Sequence, residues 1–166
     1  MKTLLIDAMN IFIRSYVVNP TMSEHGHQFG GALGFLKSIG SYSRRFSPDQ
    51  IIVIWEGGGS PRRKALLPEY KAGRKPIRLN RSEIYEDIPD TPENFNYQVA
   101  AATKLISYTP IKQMYVGDCE ADDIIGYLSK HSLEGEILIA SSDKDFYQLL
   151  NDRVSMYSPT KKKIIK

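Results

Sequence analysis

The chain has 166 residues, 42% of them hydrophobic and 25% charged, and its formal net charge is +3. This length suits one globular domain with a sizeable core, and the composition excludes a disordered or fibrous protein. Cys119 is the one cysteine, which excludes an intrachain disulfide and leads us to expect a cytoplasmic protein.

The N-terminal run "MKTLLIDAMNIFIRSYVV" contains the first predicted strand, at residues 3–6. Asp7, Asn10 and Arg14 interrupt this run, which is therefore too short and too polar to span a membrane. It also lacks a small-residue cleavage site, so we expect neither a signal peptide nor a membrane partner.

Further apolar runs alternate with helix-like stretches along the chain. Strands are predicted at residues 51–55, 112–116 and 136–140, with an edge strand at 153–157. Helices are predicted at residues 31–46, 96–108 and 119–131. Strands that alternate with helices predict βαβ units, and strands that are apolar throughout are covered on both faces. We therefore predict an α/β fold with a central, mostly parallel sheet and helices on both faces.

Acidic side chains follow each of the four main strands. They are Asp7 after the first strand, Glu56 after the second, Glu120, Asp122 and Asp123 after the third, and Asp143 and Asp145 after the fourth. Because the carboxyl ends of parallel strands lie along one edge of a sheet, the pattern predicts one acidic site there. Taken singly, Asp7 or Asp143 would serve equally as a helix cap. Taken together, the acids suit a hard, oxygen-seeking cation such as Mg²⁺ or Mn²⁺.

The stretch "CEADDIIGYLSKH", residues 119–131, crowds three of these acids into the start of a helix. The partial positive charge of a helix N-terminus accounts for one acid and at most two. The positions four residues further on hold Ile124, Gly126 and Tyr127, so no basic partner lies on the same helix face. Like charges this close repel, so positive charge has to come from elsewhere in the chain or from a metal ion.

A basic strip at residues 61–81 holds eight lysines and arginines against one acid, and residues 82–96 hold five acids and no base. Such a strip is typical of a surface that binds a polyanion, although basic runs are as often a solvated face. An acid-held metal beside a basic strip suits phosphodiester chemistry, because the ion activates water while Lys and Arg neutralise phosphates.

Four stretches in this order, "LLIDAMN", "PRRKALLPEYKAGRK", "EADDIIGYL" and "SSDKDFYQLLNDRVSMYSPTKKK", resemble the 5′ nuclease or flap endonuclease family. That family includes the 5′ nuclease domain of bacterial DNA polymerase I and the ribonuclease H of T-even bacteriophages, and the phage branch is the nearer resemblance. The resemblance implies a three-layer PIN-like fold over residues 1–166, with an arch or clamp at about residues 75–96 that covers a single strand.

The resemblance also implies roles for individual residues. The metal ligands would be Asp7, Glu56, Glu120, Asp122, Asp123, Asp143 and Asp145, and Glu56 stands where the family usually has Asp. Asp122 and Asp143 would be catalytic, together with Lys71 and Arg74, which would contact the scissile phosphate. The nucleic-acid-binding residues would be Arg62, Arg63, Lys64, Tyr70, Lys71, Arg74, Lys75, Arg78 and Arg81, and Tyr70 would stack on a base.

The implied function is a divalent-metal-dependent 5′→3′ exonuclease or flap endonuclease. It would use two Mg²⁺ or Mn²⁺ ions in the complete enzyme. It would act as a monomer, alongside replication proteins, during primer removal. Its substrates would be a DNA 5′ flap, a DNA 5′ end or an RNA–DNA primer hybrid. The alternatives are a weakly active or inactive nucleic-acid-binding scaffold of the same fold and a PIN-type ribonuclease that cleaves single-stranded RNA. Family members continue into a helix-hairpin module that binds DNA. Because this sequence stops at Lys166, we expect the chain alone to bind one ion weakly and to cleave poorly.

Overall fold

A six-stranded sheet forms the centre of the protein. The structure, a computed structural model, describes residues 1–80 and 86–166. The strands are β1 (Lys2–Asp7), β2 (Gln50–Ile54), β3 (Lys112–Met114), β4 (Glu136–Ala140), β5 (Val154–Ser158) and β6 (Lys163–Ile165). Their spatial order is β3-β2-β1-β4-β5-β6, in which the first five strands are parallel and β6 is antiparallel to β5.

Helices cover both faces of this sheet. They are α1 (Ala8–Val18), α2 (Gly30–Phe46), α3 (Pro61–Leu66), α4 (Pro92–Ile106) and α5 (Ala121–Tyr127), with a π-helical turn at Leu128–Ser132 and a 3₁₀ helix at Lys144–Leu149. In β1, Leu4 and Ile6 face the core under α1, α2 and α4, and Leu5 faces the core under α5 and the 3₁₀ helix. The predicted α/β sandwich with a mostly parallel sheet is therefore confirmed.

Three local predictions need correction or extension. The run at 153–157 is not an edge strand, because β5 pairs with β4 on one side and with β6 on the other. The predicted helix at 119–131 is α5 followed by the π-helical turn. Helix α4 starts before the predicted residue 96, because Thr91 caps it and Pro92 occupies its first turn.

One prediction lies partly outside the described residues. The predicted arch at about residues 75–96 includes residues 81–85, which lie outside the described part of the chain, and it stays a prediction. No helix within residues 1–80 and 86–166 is both long enough and apolar enough to cross a membrane.

The N-terminus of α2 depends on a buried amide from another helix. Its own N-cap residue, Phe29, offers no capping side chain. The Gln98 side chain of α4 is fully buried, and its Oε1 accepts hydrogen bonds from the backbone N–H groups of Gly31 at 2.7 Å and Ala32 at 3.3 Å. Gln98 therefore satisfies helix-end donors that would otherwise be buried without partners.

We expect Gln98→Leu to lower the free energy of unfolding by about 1–3 kcal/mol, because it leaves buried N–H donors unpaired. Urea unfolding monitored by circular dichroism measures this change. Lys104→Ala, at an exposed position on the same helix, is the matched control and should stay within about 0.5 kcal/mol of the wild type. Equal stability of the two variants would contradict the capping role.

Candidate active site

The sheet register brings the ends of three strands together at one edge. Asp7 at the end of β1 pairs with Ile54 at the end of β2, and Ile6 pairs with Ala140 at the end of β4. The segments that follow these strands, with Glu56 and Asp143, therefore leave the sheet side by side. The N-terminus of α5 lies against the same edge, since the backbone N–H of Ala121 donates to Glu56 Oε2 at 3.2 Å.

Three carboxylates form the centre of the acidic cluster. Asp122, Asp143 and Asp145 each place one oxygen within 4.8 Å of the others. Asp143 caps the 3₁₀ helix by accepting the N–H of Asp145 at 2.9 Å, so this tight turn points both acids to one side. No lysine or arginine of the described chain forms an ion pair with any of the three. Oxygens at this spacing are within reach of one hard cation.

Asp7 forms the buried floor of this cluster. Its Oδ2 accepts a 2.7 Å hydrogen bond from the Ser141 hydroxyl, and its Oδ1 accepts the N–H of Asn10 at 3.3 Å, which caps α1. Burial, with smaller contributions from the charges of Asp122 and Asp143, raises the pKa of Asp7 to about 6 despite these hydrogen bonds. Ser141 also accepts the Asp143 N–H at 3.0 Å, so one hydroxyl joins two of the acids.

Asp122 projects into the same space from the first turn of α5. Burial, followed by the negative charges of Asp143 and Glu56, raises the pKa of Asp122 to about 6. Two carboxyl groups at this edge therefore resist ionisation in the metal-free protein. A cation bound beside them would offset the desolvation cost and the repulsion.

Glu56 is held in place by a close contact between two loops. The N–H of Gly57 donates to Cys119 O at 3.0 Å, and the N–H of Asp118 donates to Gly57 O at 2.9 Å. A Cβ at position 57 would lie 1.8 Å from the carbonyl oxygen of Val116, so glycine is required here. This contact fixes Glu56 at the N-terminus of α5.

Glu120 is buried, and three residues of the basic strip surround it. Its Oε2 lies 2.6 Å from Arg63 Nη1 and accepts a 3.0 Å hydrogen bond from the Tyr70 hydroxyl, while Lys71 Nζ lies 2.8 Å from its Oε1. Arg63 also reaches Asp123, with Nη2 at 2.6 Å from Oδ1. Burial opposes ionisation, but Lys71, Tyr70 and Arg63 outweigh it and lower the pKa of Glu120.

The acids therefore divide into two groups. Asp7, Glu56, Asp122, Asp143 and Asp145 lie together at the carboxyl edge of the sheet, whereas Glu120 and Asp123 are paired with cations. The sequence left open whether a metal or a distant basic residue would balance the acids of 119–131. The structure supplies basic residues for two of them.

The basic strip has further members besides Arg63 and Lys71. It begins with α3, and Lys71 adopts a left-handed backbone conformation with φ of 61° that turns the chain toward Arg74. The exposed members are Arg62, Lys64, Arg74, Lys75 and Arg78. Arg78 lies 3.5 Å from Asp90, and Arg81 is outside the described residues.

The fold and the site together define a class: an α/β domain that gathers carboxylates at the carboxyl edge of a parallel sheet, as metal-dependent nucleases do. The chain belongs to the 5′-3′ exonuclease family, since residues 2–166 match the family model described as the 5′-3′ exonuclease N-terminal resolvase-like domain. The resemblance found in the sequence is therefore confirmed.

Individual relatives agree with this assignment. The chain is 29% identical over 161 residues to the thermostable DNA polymerase I of Thermus aquaticus, which covers 95% of this chain and 18% of the polymerase. It is 29% identical over 160 residues to flap endonuclease Xni of Shewanella sp. (strain MR-4), which covers 94% of this chain and 54% of that protein. The T5 5′-exonuclease with divalent zinc ions bound has a TM-score of 0.75 at 25% identity, over 99% of this chain and 58% of that chain. The chain thus spans less than two thirds of each of these proteins.

The raised pKa of Asp122 predicts how stability depends on pH. Its folded-state pKa of about 6 exceeds the ordinary value of 3.8, so protonation stabilises the fold. This stabilisation is complete below about pH 4 and is lost as the pH rises through about 6. Without metal, Asp122→Asn should therefore melt a few degrees above the wild type at pH 7, at roughly 2–4 °C per kcal/mol.

Differential scanning calorimetry in EDTA at pH 4 and pH 7 measures this effect. The advantage of Asp122→Asn should disappear at pH 4, where the wild-type carboxyl is itself protonated. Asp152→Asn, at an exposed position away from the cluster, should have the wild-type melting temperature at both pH values. A variant at Asp122 that melts at or below the wild-type temperature at pH 7 would argue against charge repulsion in the cluster.

Proposed function

We propose that this chain is the catalytic domain of a metal-dependent 5′→3′ nuclease that hydrolyses phosphodiesters at a DNA 5′ flap or 5′ end, or in an RNA–DNA primer hybrid. The observation that carries the proposal is the Asp122, Asp143 and Asp145 cluster beside a basic strip that contacts the same helix through Arg63. Membership of the 5′-3′ exonuclease family supports the direction of cleavage. Removal of primers during replication, by a monomer working beside replication proteins, is the biological setting that we propose.

The donor set fits a divalent cation. All seven acids offer carboxylate oxygens, which Mg²⁺ and Mn²⁺ prefer. Burial and neighbouring carboxylates raise the pKa of Asp7 and of Asp122 to about 6. We propose that one ion binds between Asp122, Asp143 and Asp145, and that Asp7, Glu56, Glu120 and Asp123 line the space around it. Bound ions would supply positive charge and an activated water for phosphodiester hydrolysis.

The protein's own groups then orient the substrate. Lys71 and Arg74 lie on one turn of the strip, and the ammonium of Lys71 already reaches the acidic site through Glu120. A phosphate at the cluster would meet these cations where negative charge develops during hydrolysis. Tyr70, whose ring lies 5.2 Å from Lys71 Nζ, offers an aromatic face on which a base can stack.

A nucleic-acid-binding protein without cleavage is the second candidate. It is favoured by the pairing of Glu120 with Arg63 and Lys71, which occupies a proposed ligand with the protein's own cations. Incubation with labelled flap DNA, primer hybrid and single-stranded RNA, in Mg²⁺ and in EDTA, separates the two. Metal-dependent cleavage of the flap or hybrid supports the nuclease, binding without cleavage supports the second candidate, and cleavage of RNA alone would contradict both.

We expect Asp143→Asn to abolish cleavage and to leave the fold intact, because it removes a charged ligand but keeps a group that can still cap the 3₁₀ helix. Calorimetric titration with Mn²⁺ should show weaker binding, while the circular dichroism spectrum stays unchanged. Asp152→Asn should match the wild type in cleavage, in Mn²⁺ binding and in its circular dichroism spectrum. Near-wild-type cleavage by Asp143→Asn would overturn the ligand assignment.

The basic strip should show two kinds of effect. Lys71→Ala and Arg74→Ala should each lower the cleavage rate about 10²–10³-fold, because their charge acts where charge develops at the phosphate. Arg78→Ala should mainly weaken binding and reduce the slope of log affinity against log salt by about 0.7–0.9. Single-turnover rates and fluorescence anisotropy at several salt concentrations measure the two. Equal effects at all three positions would show that the strip is a general polyanion surface.

A further inference from the structure

Two clefts meet at Glu120 and Tyr70, which line both of them. The first has a volume of about 520 Å³ and contains Lys71 of the basic strip. The second has a volume of about 620 Å³ and contains Asp122 and Asp145 of the acidic cluster. The proposed nuclease function uses the first cleft for phosphate binding and gives the second no role beyond its acids.

Aromatic rings and a cation line the second cleft on the side of α5 and the π-helical turn. Tyr127, at the end of α5, is 62% exposed, and its ring centroid lies 5.2 Å from that of His131. Lys130 lines the cleft beside them, and it forms no ion pair within the described part of the chain. An exposed aromatic face next to an unpaired cation suits a base and its phosphate.

Arg153 holds the backbone that carries these side chains. Its guanidinium donates to the carbonyl oxygen of Ser129 at 2.7 Å and to that of Leu133. Carbonyl groups at a helix end lack partners within the helix, and Arg153 satisfies two of them here. Short π-helical segments are rare and occur frequently at functional sites. The turn with Lys130 and His131 is therefore fixed before any ligand arrives.

The second cleft is open at α5 because residue 126 is glycine. A Cβ at Gly126 would meet the Cδ2 of Leu149 at 3.9 Å, which is an ordinary van der Waals distance. Packing therefore does not require glycine at this position, although glycine destabilises a helix relative to alanine. What the missing side chain provides is open space between Tyr127 and the acidic cluster.

We propose that the second cleft binds one of the two nucleotides that flank the scissile bond, with its base stacked on Tyr127 and a phosphate facing Lys130. Tyr70 and the basic strip take the other nucleotide. The volume lies within the range of about 300–1,000 Å³ that is typical of small-molecule sites. Because every nucleotide has a base face and a phosphate, we expect little sequence preference. This inference rests on the proposed nuclease function and names a substrate subsite within it.

Photo-crosslinking of flap DNA locates the bound nucleotides. A set of probes carries 5-iodouracil, which crosslinks to an aromatic ring stacked on it, at successive positions across the flap junction. Ca²⁺ replaces Mg²⁺ so that the DNA stays intact, and the cleavage site is mapped separately in Mg²⁺. Peptide mass spectrometry should place the crosslink from one nucleotide beside the cleavage site at Tyr127. Tyr127→Phe should keep this crosslink, and Tyr127→Ser should lose it.

Cleavage rates in Mg²⁺ should follow the crosslinks. Tyr127→Ser, and Gly126→Leu, which fills the cleft, should each cleave about tenfold more slowly in single-turnover conditions, equivalent to about 1.4 kcal/mol. Tyr127→Phe and Gly126→Ala should cleave at the wild-type rate. Tyr108→Ser, at a 76% exposed tyrosine just after α4, is the control and should match the wild type in rate and in crosslinks. Melting temperatures identify any variant whose rate falls because it unfolds.

The outcomes separate the subsite from the nuclease. Crosslinks that avoid Tyr127 in the wild type, or folded Tyr127→Ser and Gly126→Leu variants that cleave at the wild-type rate, would overturn the subsite and leave the nuclease standing. A wild type that crosslinks at Tyr127 but does not cleave in Mg²⁺ would overturn the proposed nuclease and leave a nucleotide-binding cleft.

Discussion

Repulsion among carboxylates at one edge of the sheet is the constraint on which the rest of this structure depends. Parallel strands end at the same edge, so any acids that follow them are forced together, and burial makes their charges harder to solvate. Burial and the charges of neighbouring carboxylates accordingly raise the pKa of Asp7 and of Asp122. The protein offsets part of it with Arg63 and Lys71 at Glu120, and a bound cation would offset the remainder.

Much of the fold and part of the site could be predicted because their causes are local. Buried parallel strands have to be apolar along their length, and an acid directly after such a strand has to lie at its carboxyl end. Helix α1 was overlooked even though Ala8, Ile11, Phe12 and Tyr16, all buried, have helical spacing. Asn10 and Arg14 interrupt the apolar run: Arg14 is exposed, and Asn10 is half-buried and accepts the N–H of Ser142 at 2.9 Å.

The pairing of Arg63 with Glu120 could not be predicted, because these residues are 57 apart in sequence and no local pattern links them. The same holds for Ser141, whose hydroxyl joins Asp7 and Asp143 although nothing around it in the sequence marks it. The excess of acidic residues at 119–131 is evident from the sequence, and it correctly indicates that a counter-charge is needed. Which residues supply that charge depends on how the segment after β2 folds back over α5, and this is a tertiary property.

Glu120 links the two halves of the site. The cations that neutralise it in this structure belong to the strip that we propose for phosphate binding, so a ligand arriving at either half changes the partners of the other. A divalent ion that took over Glu120 would release Arg63 and Lys71 at the place where a phosphate needs them. A phosphate that drew these cations away would expose Glu120 to the ion. Each exchange replaces one charge pair by another, so neither half has to leave a buried charge without a partner.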